Sequence, residues 1–507
     1  MQITIGGSTL GAMSSAQGTY VIRGVAAGAR TVRAARLGFG AQQRNVTVTA
    51  TDTAVADFGM RTAALNLSQV VVVGYGTANR RDLTNAVTTV RSEDIVNNPI
   101  ASVDAALQGK ASGLQVVQNA GNPGNGITVR IRGSSSLSAG NQPLYVIDGV
   151  PLLRESYSQL GLGGQDVSAV SALSPDEIAS IDVLKDASAS AIYGSRGSNG
   201  VVLITTKRGQ SGRAKITWNG YYGTQDLSKK VNMLNAKEYV SYFNEAAKND
   251  GYADDELPFV PGVDDTINTD WQKSVLQTAP VYDVNMGVTG GGDRIGYYVS
   301  GSLFNQKGIL VGSGYQRVNV RANLDFAPTS KLSFRSSIGL GREGNTRNEN
   351  DNTIDGVATN ALANQPNVRA RNPDGTFTST DDGLEYTNPL ALGTLDNAES
   401  RSLRALGNME ATYSFTDHFR LNGRLGVDML NLRDLRWNSP LIIGTYAASA
   451  RGVAQQGNTT VSRYVAESFL QYDVPSVRLG TLSLVGGTSV EYNSRENDFL
   501  QGEGFGS

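Results

Sequence analysis

Side chains for catalysis are scarce, because the sequence has no cysteine and a single histidine, His418. Without cysteine there is no disulfide, no thiolate nucleophile and no cysteine-ligated zinc. A Ser-His-Asp triad would need His418, which lies in the predicted turn 415-FTDHF-419, where a histidine is usually solvated. We therefore expect a protein that is not an enzyme and that uses no cofactor.

Two acid-rich segments, 346–356 and 373–383, have the oxygen ligands that calcium prefers. The spacing of their carboxylates does not match an EF-hand loop. We interpret both segments as solvated loops, and the sequence predicts no metal site.

Four consecutive valines stand in the segment 67-LSQVVVVGYGT-77, followed closely by two glycines. A continuous apolar run without helical or period-2 alternation is typical of a strand buried on both faces. The same residues also suit a strand that is free to pair with the sheet edge of another protein. Which of the two applies depends on what the rest of the chain builds.

The composition of the sequence limits the classes of protein to which the chain can belong. The 507 residues have a formal net charge of -2, so the chain lacks the basic surface of a nucleic-acid-binding protein. Only 39% of the residues are apolar, and no stretch reaches the ~18 consecutive apolar residues of a membrane helix. The chain is either soluble or crosses a membrane as a β-barrel, whose sequence is polar on average.

Long stretches after about residue 214 alternate between apolar and polar residues. In 318–326, Val318, Val320 and Leu324 alternate with Arg321 and Asn323. Further stretches of this kind lie at 282–288, 332–340, 419–429, 464–474 and 482–492. We count nine such strands, and because bacterial outer-membrane barrels have an even number, we expect an incomplete barrel.

The connections between these strands alternate in length, as in outer-membrane barrels, whereas a soluble sandwich has no reason to sort loops by end. Short turns are predicted at 289–293, 327–331, 416–418 and 475–480. Longer connections are predicted at 226–280, 306–315, 344–400 and 432–459. The aromatic residues near the short turns, at the position of an aromatic girdle, are Phe326, Phe334, Phe415, Phe419 and Tyr472.

The first part of the chain has different patterns. Short alternating strands with glycine turns predict a small β-sandwich over 1–62. Residues 84–209 mix short strands and helices and predict a compact α+β domain. Within it, 174-SPDE-177 has the pattern of a capping box and predicts the start of a helix. A further helix is predicted from Asn235 to a stop at Gly251.

Three motifs in the second of these regions allow a family to be recognised. They are ITVRIRGSSSL at 127–137, PLYVIDGVPL at 143–152 and DVLKDASASAIYGSRGSNGVVLITTKRG at 182–209. They closely resemble the plug domain of the SusC/RagA family of TonB-linked outer-membrane proteins. Residues 1–62 are similar to the family's carboxypeptidase-regulatory-like domain, and residues 210–507 to the first part of its barrel.

The resemblance implies a mainly β protein of the cell outer membrane of a Gram-negative-type bacterium. We expect a fragment with an incomplete transmembrane antiparallel β-barrel, an α+β plug domain and a partial amino-terminal β-sandwich. Residues 63–83 would be a linker that holds the TonB box. There, Gln69, Val70, Val71, Val72 and Val73 would add as a strand to TonB, unless the valines form a core strand of the preceding sandwich.

Two plug arginines are candidates for anchoring, because a plug inside a polar barrel is held by polar contacts and guanidinium groups pair well with carboxylates. We hypothesise that Arg132 and Arg196 pair with acidic residues of the barrel wall. Asp148 and Gly149 follow the predicted strand PLYVI and have the composition of a tight turn.

The function that the resemblance implies is active import across the outer membrane. The substrates would be oligosaccharides or peptides, and the partners TonB with the ExbB–ExbD complex and a SusD-like surface lipoprotein. Two alternatives stay open: a siderophore or cobalamin receptor of the same fold, and a passive porin or surface adhesin without energy coupling. The residues that bind the substrate are not indicated by the sequence.

Overall fold

The computed structural model describes the chain except for residues 1, 7, 9, 16, 37–38, 50–51, 60–69, 74–75, 80–86, 97–101, 134–139, 153–156, 163–164, 166–167, 169, 187–189, 350–355, 478–479 and 506–507. The chain folds into two compact units, one of residues 1–71 and 77–83, which contains the amino-terminal domain, and one of residues 72–76 and 84–507. Strands dominate the second unit, as its alternating sequence predicts.

The amino-terminal domain contains, among its described residues, an antiparallel sheet of four strands. They are β1 (Gln2–Ile5), β2 (Gly11–Met13), β3 (Gly28–Arg36) and β4 (Phe39–Val48). Their order in the sheet is β2-β1-β3-β4. Val32 and Ala34 lie two residues apart and are both buried, because alternate residues of a strand share a face.

The valine run forms a strand outside that sheet. Strand β5 (Val70–Val73) pairs with β6 (Gly76–Asn79) in a separate two-stranded sheet. Gln69 lies outside the described residues. A two-stranded sheet is marginally stable by itself, so this pairing is easily exchanged for another.

The plug domain is built on a mixed sheet. The plug strands are β7 (Val87–Arg91), β8 (Leu114–Gln118), β9 (Ile127–Ile131), β10 (Leu144–Ile147), β11 (Val150–Pro151), β12 (Ile178–Leu184) and β13 (Val201–Thr206). Five of those described form a sheet in the order β11-β10-β13-β12-β7, and β8 pairs with β9. Strands β10 and β13 are parallel, and both are almost fully buried. The plug also contains the helix Ser92–Val96 and the short 3-10 segments Ala105–Leu107, Pro175–Glu177 and Ala191–Gly197.

The prediction of a helix starting at Ser174 is wrong. Pro175–Glu177 forms one turn of 3-10 helix, the Ser174 side chain makes no capping hydrogen bond, and Ile178–Leu184 is a strand. That strand pairs with β13 on one side and with β7 on the other. Strand pairing on both sides therefore outweighs the local capping signal, and it leaves the Glu177 side chain available for another contact.

A buried carboxyl group lies next to the plug core. Asp104 is 1% exposed, and its Oδ2 accepts a hydrogen bond from the Ser168 hydroxyl. Burial raises the pKa of Asp104 to about 6, and the hydrogen bond from Ser168 offsets only part of this effect. The nearby Tyr145 hydroxyl is also buried, and burial raises its pKa well above its ordinary value.

We expect the plug to be more stable below pH 5 than at pH 8 because of Asp104. The folded protein holds this proton more tightly than the unfolded chain, so stability falls as the pH rises from about 4 through 6. The difference is about 3 kcal/mol for a shift of this size. Asp104→Asn should therefore slow hydrogen exchange in the plug strands at pH 8 and leave it nearly unchanged at about pH 3, where Asp104 is protonated in both the folded and the unfolded protein. Equal exchange free energies for both proteins at pH 8 would contradict this.

From Gly212 onward, the described strands form one large antiparallel sheet, here called the wall. The wall strands are β14 (Gly212–Gln225), β15 (Ala279–Gly291), β16 (Ile295–Lys307), β17 (Gly314–Phe326), β18 (Leu332–Arg347), β19 (Asn397–Ser414), β20 (Phe419–Asn438), β21 (Val453–Val477) and β22 (Gly480–Glu503). In the part of the chain that the structure describes, each strand pairs with its sequence neighbour, in the order β14 to β22. The prediction of nine strands is confirmed.

The wall has its apolar side chains on the outside and its polar side chains on the inside. In β17, Val318 and Val320 are 46% and 52% exposed, whereas Arg321 and Asn323 are 3% and 2% exposed. The inner face is covered by the plug, and the outer face has the apolar surface that lipid requires. No described helix is long and apolar enough to cross a membrane.

The strand connections sort by length, as predicted. One end of the wall, the short-turn end, has the connections 292–294, 327–331 and 415–418. The other, the long-loop end, has 226–278, 308–313, 348–396 and 439–452. The last of these is shorter than expected, because β20 and β21 stay paired as far as Asn438 and Val453. At the short-turn end, the rings of Phe415, Phe419 and Tyr472 lie in a row with centroids 5.1 and 6.3 Å apart.

The long connections contain helices at the long-loop end, and three of them, Trp271–Val275, Val357–Ala363 and Pro389–Leu395, pack on one another. The helices are Ala236–Asn249, Trp271–Val275, Val357–Ala363, Pro389–Leu395 and Tyr446–Ser449, with 3-10 turns at Asp254–Glu256 and Thr380–Asp382. The predicted helix after Asn235 is confirmed, and it begins with a capping box that the sequence analysis did not predict. Asn235 Oδ1 accepts from the Glu238 backbone N–H, and Glu238 accepts from the Asn235 N–H, both at 3.0 Å. Trp271, Val275 and Ala361 belong to one apolar cluster between these segments.

Candidate functional site at the plug–wall interface

The interface between the plug and the wall is polar, and one buried ion pair lies at its centre. Arg321 Nε of β17 donates to Glu177 Oε2 of the plug at 2.8 Å, and both side chains are 4% exposed or less. Asp148 Oδ2, also from the plug, is 3.9 Å from Arg321 Nη1. Two charges removed from water in this way are stable only as a pair, because each alone would be left desolvated.

Asp148 extends this pair into a hydrogen-bond network. Its carboxylate accepts from the Thr206 backbone N–H at 3.0 Å, from the Thr206 hydroxyl at 2.6 Å and from Ser337 Oγ of the wall at 3.1 Å. Asn323 Nδ2, also of the wall, donates to Thr206 Oγ1 at 2.8 Å. Plug and wall therefore share a single network of charged and polar groups.

The backbone at Asp148 confirms the predicted tight turn. Asp148 and Gly149 have φ values of 46° and 89° between the antiparallel strands β10 and β11, as in a two-residue hairpin turn. A Cβ atom at Gly149 would lie 3.0 Å from the Arg424 guanidinium of the wall. Glycine at this turn therefore also permits the close approach of plug and wall.

Arg196 contacts the wall. Its Nη1 lies 2.7 Å from Glu491 Oε2 of β22, and the arginine side chain is 47% exposed. Glu491 Oε1 also lies 2.7 Å from Arg463 Nη2 of β21, and Arg463 Nη1 donates to the plug carbonyl of Pro151. The contact agrees with the anchoring hypothesis, and the anchoring role of Arg196 stays a prediction.

The ion pair described for Arg132 lies within the plug, and an anchoring role for this residue stays a prediction. Its guanidinium lies 2.7 Å from Asp186 Oδ1, and both residues belong to the plug. The backbone of Arg132 has a positive φ of 56°, and its N–H donates to Gly113 O at 2.9 Å, at the end of β9. This ion pair joins two segments of the plug.

A second set of contacts joins the plug to the wall at the long-loop end. The carbonyl of Asn348, directly after β18, accepts from Gln165 Nε2 at 2.8 Å and from Asn122 Nδ2 at 3.4 Å. Arg347 Nη1 donates to the Gln165 carbonyl at 2.7 Å. Asn122 belongs to the glycine-rich segment 118–126. This segment of the plug is therefore in direct contact with the wall at Asn348.

The sequence analysis did not predict the Arg321–Glu177 pair, although the pattern of β17 indicates where the Arg321 side chain lies. Arg321 lies on the polar face of a strand whose other face is apolar, which places its side chain inside the barrel. Glu177 had a local signal pointing elsewhere, because it occupies the last position of the apparent capping box. Among the described residues, no cluster of carboxylates and His418 has the composition of a metal site.

Two family models match the chain. Residues 79–201 match the TonB-dependent receptor plug domain, and residues 1–61 match the carboxypeptidase regulatory-like domain. These ranges lie close to the regions 84–209 and 1–62 that the sequence pattern separates.

Longer similarities connect the chain with whole proteins. TonB-dependent receptor P26 of Formosa agariphila is 32% identical over 445 residues, which are 87% of this chain and 43% of that receptor. TonB-dependent receptor SusC of Bacteroides thetaiotaomicron is 31% identical over 472 residues, which are 87% of this chain and 44% of that receptor. The chain therefore spans less than half the length of these curated relatives.

The fold also resembles that of solved structures. The RagAB peptide importer in its open-open state superposes with a TM-score of 0.72 at 23% identity, over 87% of this chain and 50% of that one. In its closed-closed state the TM-score is 0.68 over 84% of this chain. The likeness confirms the predicted fold, an incomplete antiparallel barrel with a plug domain.

Proposed function

The chain belongs to the SusC/RagA family of TonB-dependent receptors of the outer membrane, and on this premise we propose that it serves TonB-dependent import of oligosaccharides or peptides. The observation that supports this most directly is the plug, held in the wall by the buried Arg321–Glu177 pair. A pore closed in this way needs an input of work before a large solute passes. A passive porin has no need of a buried ion pair that holds a plug in its pore.

The work would enter through the segment Gln69 to Val73. In this proposal Val70–Val73 leaves its pairing with β6 and adds to the sheet of TonB, whose ExbB–ExbD complex draws on the proton-motive force. Backbone hydrogen bonds would supply the affinity, and β-branched valines favour the extended conformation. Four consecutive strand residues next to Gly76 give a short, exchangeable element of the required kind.

Substrate capture would involve a second protein, a SusD-like surface lipoprotein seated on the long-loop end. Support comes from similarity to SusC and from the fold shared with the RagAB peptide importer. The long connections, with their packed helices, offer the surface on which such a partner would rest. The outer apolar face of the wall would contact the lipid of the outer membrane.

Uptake measurements with and without TonB test the proposal. Cells that produce the receptor would be given a labelled maltooligosaccharide or a labelled short peptide, each too large for diffusion porins. We expect uptake of one class to require both TonB and the proton-motive force. Uptake that continues in a strain lacking TonB, or after addition of a protonophore, would instead identify a passive channel.

A further inference from the structure

A pocket of about 350 Å³ opens at the long-loop end, between the plug loop at Gly121 and the long connections. Its walls are mostly aliphatic. The side chains that form them include Leu227, Val231, Val275, Leu276, Ile309 and Leu310. Ala358 and Ala361, from the helix Val357–Ala363, complete one side. This volume is at the lower end of the range for ligand pockets and suits one or two amino-acid residues better than several sugar rings.

The chemistry of the walls disfavours a sugar. None of the described residues that line the pocket is aromatic, so sugar rings would have no ring face on which to stack. A sugar places a hydroxyl on nearly every carbon atom, and each hydroxyl would lose its water without gaining a partner. An aliphatic side chain has no hydroxyl group to desolvate, and the removal of its apolar surface from water is favourable.

The polar groups of the pocket are mostly engaged with one another. Asn122 Nδ2 donates to Gln165 Oε1 at 2.9 Å, and both side chains donate to the Asn348 carbonyl. Glu349 is paired with Arg436 of β20. These groups form the floor of the pocket, and their hydrogen bonds hold the plug to the wall there.

Lys229 differs from these groups. It lines the pocket, its side chain is exposed, and it forms no ion pair with any residue that the structure describes. Because the charge of Glu349 is balanced by Arg436, the ammonium group of Lys229 leaves the pocket with a net positive charge. An aliphatic cavity with an unpaired cation matches an apolar group that carries a carboxylate close by.

We propose that this pocket binds the carboxyl-terminal residue of a peptide when that residue is apolar, with its side chain between the aliphatic walls and its carboxylate at Lys229. The inference rests on the proposed function and narrows its substrate class to peptides. It also puts the ligand in contact with the plug, because Gly121 and Asn122 form part of the pocket. Ligand binding can therefore change the hydrogen bonds that Asn122 and Gln165 of the plug donate to the Asn348 carbonyl.

Binding to the purified receptor in detergent tests the proposal without any need for TonB. The probes are tetraglycyl-leucine, tetraglycyl-serine, the amide of tetraglycyl-leucine and maltohexaose, each titrated by calorimetry. We expect the leucine peptide to bind at least about tenfold more tightly than the serine peptide, because a buried leucine side chain contributes at this level. The amide should bind about threefold more weakly than the free acid, and Lys229→Gln should remove that difference.

Two neighbouring residues of one helix give a matched pair of variants. Ala358→Trp fills the pocket and should abolish the preference for leucine, whereas Thr359→Trp adds the same side chain at an exposed position outside the pocket and should leave it intact. Leu227→Ser, at the partly exposed rim, provides a milder variant that should weaken leucine-peptide binding several-fold.

Equal affinities for the leucine and serine peptides would overturn the proposal, as would a leucine preference that survives Ala358→Trp. So would maltohexaose binding that Ala358→Trp removes. The proposed function fails by a different result, namely peptide uptake that does not need TonB. A receptor that binds the leucine peptide as expected but takes it up without TonB would keep the pocket and lose the import mechanism.

Discussion

Replacing Val71 and Val72 by proline should reduce substrate uptake to the level of a strain without TonB. A strand that adds to a sheet edge must donate backbone N–H groups, and proline has none. The ring also fixes φ near −65°, which disfavours the extended conformation that β-augmentation needs. Two prolines in a four-residue strand leave too few hydrogen bonds for recognition. The measurement is TonB-dependent uptake of the labelled substrate that the native receptor imports.

The control replaces the same two residues by threonine, which keeps the β-branched shape and the backbone donors. Uptake by the threonine variant should stay within about a factor of two of the native value. Substrate binding to the purified proline variant should also be unchanged, because the long-loop end lies in a different part of the sequence. If the proline variant imports normally, Gln69 to Val73 is not the segment that TonB binds.

The same variant decides between the two interpretations of the valine run. As a core strand of the amino-terminal domain, the run would be needed for stability, and proline would unfold that domain. The structure places Val70–Val73 outside the four-stranded sheet, paired with β6. We therefore expect the proline variant to keep native hydrogen-exchange protection in β1, β3 and β4.

The wall could be predicted from the sequence because its rule is local. In a strand, residues two apart share a face, so Val318 and Val320 point to one side and Arg321 and Asn323 to the other. A barrel in lipid needs the apolar face outside, which turns this pattern directly into exposure and burial. The alternating lengths of the connections also indicate which end of each strand lies at the short-turn end and which lies at the long-loop end. These features need no knowledge of distant residues.

The plug contacts could not be predicted in the same way, because they join residues far apart in sequence. Glu177 and Arg321 are separated by more than a hundred residues, and the motif around Glu177 resembles a helix start. Arg132 and Arg196 both lie in recognisable plug motifs, yet the ion pair described for Arg196 reaches the wall and the one described for Arg132 stays within the plug. The type of residue indicated an ion pair in each case. Which partner it meets depends on the arrangement of the plug within the barrel.

We expect the buried Arg321–Glu177 pair to contribute strongly to the resistance of the plug to opening. Glu177→Gln should leave the Arg321 guanidinium buried with only Asp148, 3.9 Å away, to balance its charge. Removing one partner of a buried pair costs about 3–5 kcal/mol, and the remaining Asp148 contact favours the lower end. We therefore expect hydrogen exchange in the neighbouring plug strands β12 and β13 to accelerate about a hundredfold. The exposed pair at Arg196 provides the contrast, since Arg196→Gln should change exchange by less than about fivefold.

A double variant distinguishes the effect of an unpaired buried charge from a general loss of stability. Glu177→Leu with Arg321→Met removes both charges of the pair together, so neither is left buried alone and apolar contact replaces the pair. Asp148 keeps its hydrogen bonds from Thr206 and Ser337. Exchange in β12 and β13 should then return to within about tenfold of the native rate, although each single change accelerates it. If the double variant exchanges as fast as Glu177→Gln alone, an unpaired buried charge is not the cause of the acceleration in the single variants. If it exchanges slowly, each single change costs what it does because one buried charge is left without its partner.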